Sequence, residues 1–168
     1  MLSRLARKAL AVSCEKSGCS IVELNKDQKG APLPENGYYW SLSHKSQFTA
    51  GVVAPYPVGI DIEIIRPCSE SLKKRVASKT EWKLASNLNQ DLTFFRFWTA
   101  KEAVLKAVGV GMTGLSLCRV TKIVDKYRLC LTYDGTPFMV TQIQFCSHIA
   151  AVVSDECPIY WTHLSKMI

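Results

Sequence analysis

The chain has 168 residues, 48% of them hydrophobic and 21% charged, which is typical of a folded protein with one domain or two small subdomains. No apolar run approaches the ~20 residues that a membrane-spanning helix needs, so the sequence excludes a span of that kind. The net charge of +7 indicates a polyanionic partner: a nucleic acid, an anionic membrane, a phosphate-bearing cofactor or an acidic protein.

The first segment of the chain predicts an amphipathic helix. Its apolar side is expected to carry Leu2, Leu5 and Ala9. Its basic residues lie largely on the other side: Arg4, Arg7 and Lys8. Because these basic residues interrupt the early apolar positions, and the apolar run after them is short, we interpret the segment as a helix of the folded protein and not as a signal peptide.

The seven cysteines form no C-x-x-C pair, and three of them, Cys118, Cys130 and Cys146, lie inside apolar runs. This pattern predicts buried free thiols in a reducing compartment, and therefore a cytoplasmic protein, in place of a disulfide framework. The three histidines lie far apart in sequence, so no local zinc motif is present.

Residues 25–37 contain prolines, glycines and polar residues and predict a loop. Residues 38–54 follow as a strand, a turn and a second strand, with residues 41–45 in the middle. Ser43, His44 and Lys45 offer a hydroxyl, an imidazole and an ammonium, all of which donate hydrogen bonds to an oxyanion. A phosphate site and an ordinary polar turn with a surface histidine both remain open for this segment.

Residues 58–65 alternate between two kinds of side chain and predict a half-buried β-strand. One face is aliphatic and carries Val58, Ile60, Ile62 and Ile64. Asp61 and Glu63 share the other face, about 7 Å apart at roughly 3.3 Å per residue. Carboxylates this close repel each other unless a cation lies between them, and Mg²⁺ is a cation that carboxylates bind. A solvated polar face of an ordinary strand is the alternative.

Two short helices are predicted after this strand. Ser69 or Ser71 caps the first helix, and Thr80 caps the second. Glu81 lies in the first turn of the second helix, where its charge complements the helix dipole.

A longer helix is predicted within residues 93–112, ending at the first of two glycines. Glu102 and Lys106 are four residues apart, so they share one face of this helix and can form an ion pair. An amphipathic helix with a routine surface ion pair would have the same pattern.

The C-terminal third predicts four strands, at residues 118–124, 127–133, 138–145 and 148–153. Asp134-Gly135 is typical of a type I′ hairpin turn, and Asp125-Lys126 forms another turn. Segments 42–53 and 146–153 share a Ser-His pair followed by Ala-x-Val-Val, which indicates a duplicated α+β unit. His148, in the second copy, is expected to be structural.

Two of these segments together resemble the signature of the 4′-phosphopantetheinyl transferases. Residues 59–63 (G-I-D-I-E) match the family's G-[IV]-D-[IV]-E strand, and residues 98–106 (W-T-A-K-E-A-V-L-K) match its [FW]-[ST]-x-K-E-[AS]-x-x-K helix. Ser43-His44 before the strand resembles the Sfp-type (surfactin-synthetase-activating) branch. The resemblance implies an α+β fold of two similar subdomains, residues 1–57 and 58–168, with pseudo-twofold symmetry and the active site in the cleft between them.

The resemblance also implies a reaction, the transfer of 4′-phosphopantetheine from coenzyme A to a serine of an apo acyl or peptidyl carrier protein. Asp61, Glu63 and Glu102 are expected to hold Mg²⁺, with Mn²⁺ as the alternative, on the pyrophosphate. Lys106 is expected to neutralise phosphate charge, and Glu102 to accept the proton of the serine. Glu81 corresponds to an acidic residue that reaches the metal through water, which stays open beside its helix-dipole role.

Further residues are expected to contact coenzyme A. The resemblance places Ser43 and His44 on its 3′-phosphate and Lys29 near its adenine nucleotide. Lys101 is expected to assist phosphate binding. Typical relatives have additional sequence before the first helix, from which some basic contacts come, and Arg4 is the candidate to replace them.

The net charge of +7 favours an acidic carrier protein as partner. The chain is expected to act as a monomer, without a nucleic-acid or membrane partner. Two alternatives remain: a relative that binds coenzyme A without turnover, and a basic nucleic-acid-binding module. The second predicts an affinity that falls steeply with salt and leaves the paired carboxylates without a purpose.

Overall fold

The computed structural model describes residues 2–154 and 157–164 and has the mixed α+β architecture that the sequence predicts. The helices are α1 (Leu2–Ser17), α2 (Glu70–Val76), α3 (Lys79–Lys83) and α4 (Gln90–Val108), followed by a 3₁₀ helix (Gly111–Leu117). The strands are β1 (Tyr39–Lys45), β2 (Phe48–Ala54), β3 (Ile60–Ile64), β4 (Cys118–Ile123), β5 (Arg128–Tyr133), β6 (Thr136–Phe145) and β7 (His148–Val153). Among these helices, none combines the length and the hydropathy that crossing a bilayer requires.

The strands form two sheets. β1 and β2 pair as an antiparallel hairpin, and the other five strands form an antiparallel sheet in the order β3-β7-β6-β5-β4. Helix α1 packs on β2, and α4 packs on β3 and β7, so each sheet has its own helix. β2 ends at Ala54 and β3 begins at Ile60, so the proposed subdomain boundary after residue 57 falls in the connection between the sheets.

Helix α1 buries a different face from the predicted one. The buried residues are Ala6, Leu10 and Cys14, whereas Leu5 is 36% exposed and Ala9 is half-buried. The side chain of Leu2 lies outside the described residues. The buried face of α1 is set by a close approach of its backbone to that of β2. A Cβ built on Gly51 of β2 would lie 2.6 Å from the backbone nitrogen of Leu10. The helix therefore turns the side of Leu10 toward the sheet.

Gly59 sets the distance between β3 and α4 in the same way. A Cβ at this position would collide with the backbone oxygen of Ala103 and lie 2.7 Å from the backbone nitrogen of Ala107. Both obstacles are main-chain atoms, which cannot move aside as a flexible side chain would. The strand and the helix can approach this closely only with glycine at position 59.

Gly59→Ala is therefore expected to lower the free energy of unfolding by about 1–3 kcal/mol, the usual cost of overpacking a core. Urea denaturation followed by circular dichroism measures the change. The exposed substitution Ser20→Ala is the control and should stay within about 0.5 kcal/mol of the original chain. An equal, small effect of both substitutions would contradict the packing argument.

The predicted turn at residues 41–45 is wrong, because these residues continue strand β1. The turn is formed by Ser46 and Gln47, and Ser46 has a φ of 51°. The hydroxyls of Ser41 and Ser43 bond to amides of β3 and do not close a local turn. Serine is common in turns because its hydroxyl can bond to nearby backbone groups. Here the hydroxyls bond to the backbone of a neighbouring strand instead.

We call this connection between β1 and β3 the serine seam. Ser41 Oγ accepts a hydrogen bond from the Ile60 amide at 3.2 Å, and Ser43 Oγ accepts one from the Ile62 amide at 3.2 Å. Each step of two residues on one strand matches a step of two on the other, so β1 runs parallel to β3. Side-chain oxygens therefore replace main-chain carbonyls as the acceptors between the two sheets.

The two hairpins β1–β2 and β6–β7 are equivalent at a spacing of 100 residues. Ser46 and Cys146 both begin two-residue turns with positive φ, of 51° and 49°. The same spacing relates Phe48 to His148, whose ring centroids lie 4.7 Å apart, so the two hairpins meet at equivalent positions. The Ala-x-Val-Val repeat follows this spacing, but the Ser-His repeat does not, because His44 precedes its turn.

His148 lies in an aromatic cluster and is only 4% exposed. Its ring lies 4.7 Å from that of Phe48 and 6.1 Å from that of Phe145, between centroids. Its Nε2 atom is buried and lacks a hydrogen-bond partner among residues 2–154 and 157–164. Burial lowers the pKa of His148, and the charge of Glu63 opposes this only in part.

The folded protein therefore disfavours the protonated imidazole, while the unfolded chain accepts a proton near pH 6.5. The free energy of unfolding is expected to fall as the pH drops below about 6.5 and to stay level above it. His148→Phe should flatten this part of the pH profile of the melting temperature, whereas the exposed His163→Phe should not. Equal slopes of melting temperature against pH for the two variants would contradict the assignment of this pH dependence to His148.

The C-terminal strands agree with the predicted ones to within a few residues, and Asp134-Gly135 forms the two-residue turn with positive φ at both positions. The cysteines are free thiols, but the predicted burial is found only for Cys14 and Cys118, and of the three cysteines inside apolar runs only for Cys118. Cys130 is half-buried, and Cys146 is exposed because it occupies the turn between β6 and β7. An apolar neighbourhood in sequence does not reveal such a turn.

Candidate active site

Strand β3 and helix α4 bring the predicted carboxylates together with Lys106. Lys106 does not pair with Glu102, as the helical spacing suggested, but reaches across to Asp61 on β3. Its Nζ lies 2.7 Å from Asp61 Oδ1, 3.2 Å from Ser43 Oγ and 3.0 Å from the carbonyl oxygen of Ile60. Three acceptors match the three N–H bonds of the ammonium, so Lys106 is fixed in this position.

Asp61 is buried at the centre of the site, with 6% of its surface exposed. Its Oδ1 accepts hydrogen bonds from Lys106 and, at 3.0 Å, from the Ser43 hydroxyl. Its Oδ2 is buried and finds no hydrogen-bond partner in the part of the chain that the structure describes. Burial raises the pKa of Asp61, although Lys106 and Ser43 act in the opposite direction.

Glu102 on α4 is half-buried and faces the same cluster. Burial raises its pKa, and the negative charges of Asp61 and Glu63 raise it further, while Lys106 opposes both. The three carboxylates therefore lie within each other's electric field. A cation among them would remove this repulsion and favour their ionised forms.

Glu63 has a partner that the sequence analysis did not assign. Lys45 Nζ lies 2.8 Å from Glu63 Oε2 and 3.1 Å from its Oε1. Ser41, Ser43 and Lys45 lie on one face of β1, and all three contact β3. Their spacing of two residues is typical of a strand and could have predicted this face, had the segment not been interpreted as a turn. Lys45 therefore belongs to the candidate active site.

The donor set fits a hard divalent cation, because it consists of carboxylate oxygens and includes the unpartnered Oδ2 of Asp61. As the side chains stand, however, no three Asp, Glu, His or Cys residues within the described ranges are grouped closely enough to hold an ion. Lys106 and Lys45 hold the carboxylates of Asp61 and Glu63 instead. The carboxylates that could bind a cation are therefore present, but lysine ammonium groups pair with two of them.

The residues expected to contact coenzyme A differ in burial and in the element on which they lie. Ser43 is 7% exposed and lies inside the carboxylate cluster. His44 is exposed on the other side of β1, and Lys29 and Arg4 are exposed in the loop and on α1. The loop of Lys29 reaches the end of α4, since a Cβ on Gly109 would lie 3.5 Å from Ala31 Cβ.

Lys101 lies outside this cluster, which differs from the expectation that it would assist phosphate binding. It is 2% exposed, and its Nζ lies 2.6 Å from Glu81 Oε1 and donates a hydrogen bond of 2.7 Å to the Val76 carbonyl. The ammonium is therefore enclosed on the opposite side of α4. It connects this helix to the C-terminus of α2 and the start of α3.

Glu81 is the buried partner of Lys101 and caps α3. Its carboxylate accepts hydrogen bonds from the amides of Ser78 and Val120, at 2.8 and 2.9 Å. Ser78, and not Thr80 as predicted, is the N-cap, and it forms a reciprocal capping box with Glu81. Burial opposes ionisation, but these hydrogen bonds and Lys101 lower the pKa of Glu81. Its place in the first turn of α3 fits the helix-dipole alternative.

Comparison with known proteins gives a family match over more than half of the chain. The model of the 4′-phosphopantetheinyl transferase superfamily matches residues 57–153. The 4′-phosphopantetheinyl transferase HetI of Nostoc sp. is 39% identical over 106 residues, 56% of this chain and 44% of the relative. The 4′-phosphopantetheinyl transferase Sfp of Bacillus subtilis is 32% identical over 101 residues, again 56% of this chain and 44% of the relative.

Among solved structures, the holo-[acyl-carrier-protein] synthase of Thermotoga maritima is similar with a TM-score of 0.46 and 24% identity, covering 58% of this chain and 61% of that one. The matched segments of HetI and Sfp amount to less than half of each relative's length. The superfamily match includes β3, α4 and β7, and therefore Asp61, Glu63, Glu102 and Lys106.

Proposed function

The chain belongs to the 4′-phosphopantetheinyl transferase superfamily, and from this premise we propose that it transfers 4′-phosphopantetheine from coenzyme A to a serine of an apo carrier protein. The products are the holo carrier protein and adenosine 3′,5′-bisphosphate. One observation supports this most strongly: Asp61 pairs with Lys106 across two elements, lies with Glu63 in the electric field of Glu102, and has a buried carboxylate oxygen without a partner among the described residues.

The chemistry is an attack of the serine oxygen on a phosphorus of the pyrophosphate, with adenosine 3′,5′-bisphosphate as the leaving group. Positioning and neutralisation of charge dominate such reactions. Asp61, Glu63 and Glu102 would hold Mg²⁺, or Mn²⁺ in its place, and the bound ion supplies charge neutralisation on the pyrophosphate. Lys106 would place a positive charge beside the pyrophosphate. Its ammonium is held by Asp61, Ser43 and the Ile60 carbonyl.

Glu102 is the proposed general base for the serine proton. Burial and the neighbouring carboxylates raise its pKa, so it accepts a proton more readily than a solvated glutamate. Asp61, by contrast, is only 6% exposed and its Oδ1 already accepts two hydrogen bonds, so it is less accessible to the serine hydroxyl.

Coenzyme A is proposed to lie across the serine seam. The exposed imidazole of His44 is available to its 3′-phosphate, while Ser43 contributes from within the cluster. Lys29 and Arg4 are exposed cations that would face the nucleotide. The net charge of +7 supports an acidic carrier protein as the acceptor. We further propose that the protein acts as a cytoplasmic monomer.

Intact-protein mass spectrometry tests the proposal. An apo acyl carrier protein is incubated with the full chain, coenzyme A and Mg²⁺, and a parallel sample contains a chelator. A mass gain of one phosphopantetheine, lost with the chelator, is the expected result. No gain on several carrier proteins despite coenzyme A binding would indicate a relative that binds without turnover, and no coenzyme A binding would refute the proposed function.

A further inference from the structure

The two lysines of the carboxylate cluster are held very differently. Lys106 has three acceptors, one for each N–H bond, from Asp61, Ser43 and the Ile60 carbonyl. Lys45 contacts the carboxylate of Glu63, and 35% of its side chain is exposed. Lys106 is itself 29% exposed, so the difference lies in the acceptors: three separate groups hold Lys106, whereas a single carboxylate holds Lys45.

Glu63 is the carboxylate that Lys45 occupies. Both of its oxygens lie within 3.1 Å of the ammonium, and 16% of its side chain is exposed. A cation binding through Glu63 must compete with Lys45 for the same oxygen atoms. The competition is local, because Asp61 is already held by Lys106 and offers only its unpartnered Oδ2.

We propose that Lys45 is a displaceable counter-ion of Glu63 that weakens the binding of divalent cations at the carboxylate cluster. This inference rests on the metal site of the proposed function and adds a residue to it. Without a divalent cation, Lys45 neutralises Glu63 and keeps the cluster from carrying two unbalanced charges. When the cation binds, Lys45 leaves Glu63, and its exposed stem lets the ammonium turn to solvent or toward an incoming phosphate.

The test is a titration of the full chain with Mn²⁺ in the absence of coenzyme A, with the free ion followed by electron paramagnetic resonance. Lys45→Met should lower the dissociation constant about three- to fivefold, as expected for a partly exposed ion pair. Lys45→Arg, which keeps the charge, should not lower it. Lys122→Met is the matched control: it removes the same charge from an exposed site on β4, the opposite edge of the sheet from β3.

A double-variant comparison separates competition from a general change in charge or structure. In a Glu63→Gln background, Lys45→Met should no longer tighten binding, because the carboxylate for which Lys45 competes is absent. Binding by the original chain with no tightening in Lys45→Met, or equal tightening in Lys122→Met, would overturn the role of Lys45 and leave the metal site intact. No Mn²⁺ binding by any variant would refute the metal site itself, and the role of Lys45 with it.

Discussion

Glu102→Gln is expected to lower the rate of phosphopantetheine transfer at least about a hundredfold, a loss typical for removal of one group that stabilises charge in the transition state. The substitution removes the proposed metal ligand and the proposed base together, while it keeps the size of the side chain. Burial, together with the negative charges of Asp61 and Glu63, raises the pKa of this carboxyl group. Initial rates measured by mass spectrometry of the carrier protein give the ratio.

The control for this experiment is Glu15→Gln, which neutralises an exposed glutamate on α1. It should leave the rate within about twofold, in keeping with the small effects of surface substitutions. Because Gln at position 102 relieves repulsion among buried carboxylates, Glu102→Gln should not lower the melting temperature. A folded Glu102→Gln protein with nearly full activity would refute the role of Glu102 in the reaction.

Lys101→Met is expected to lower the free energy of unfolding by about 3–5 kcal/mol, because the buried charge of Glu81 loses its closest partner and keeps only the exposed Arg119, 4.0 Å away. Glu81 is 3% exposed and Lys101 is 2% exposed, so water cannot replace the missing ammonium. A loss of this size is a large part of the stability of a typical domain, about 5–15 kcal/mol. Urea denaturation followed by tryptophan fluorescence measures it.

The double variant Glu81→Gln/Lys101→Met distinguishes the buried charge from the loss of packing. Glutamine can keep the capping box with Ser78, and no charge is left unpaired, so most of the stability should return. This folded variant also tests the resemblance-based role of Lys101 in phosphate binding. From the enclosed position of Lys101 we expect unchanged affinity for coenzyme A, and a loss of affinity would restore the phosphate role. A double variant as unstable as Lys101→Met would contradict the charge argument.

Local patterns predicted the elements that carry the site. The alternation over residues 58–65 predicted β3, because a strand with one face in the core repeats every two residues. The helical period and Gly109 predicted α4, which ends at Val108 with Gly109 at a φ of 78°. The Asp134-Gly135 turn was predictable for the same reason, since its backbone conformation depends on those two residues.

The partners of the charged side chains were not predictable from local patterns. Lys101 and Lys106 belong to one motif, but five residues in a helix correspond to about 140° around its axis, so they face different surroundings. Only the packing of β3 on one side and α3 on the other decides that one meets Asp61 and the other Glu81. The pairing of Lys45 with Glu63 was missed because the two residues lie on strands that are distant in sequence, and Lys45 had been placed in an incorrectly predicted turn.

The serine seam has a consequence for how the chain tolerates changes in its length. In a continuous sheet, an inserted residue shifts the register of a strand and turns its side chains to the wrong face. Between β1 and β3, side chains span the gap: the hydroxyls of Ser41 and Ser43 bond to the amides of Ile60 and Ile62, and the ammonium of Lys45 pairs with Glu63. Residues inserted beside the exposed Pro55 or Pro57, before the buried Val58 and Gly59, would lengthen a loop without shifting either strand, so both carboxylates of β3 would stay in place.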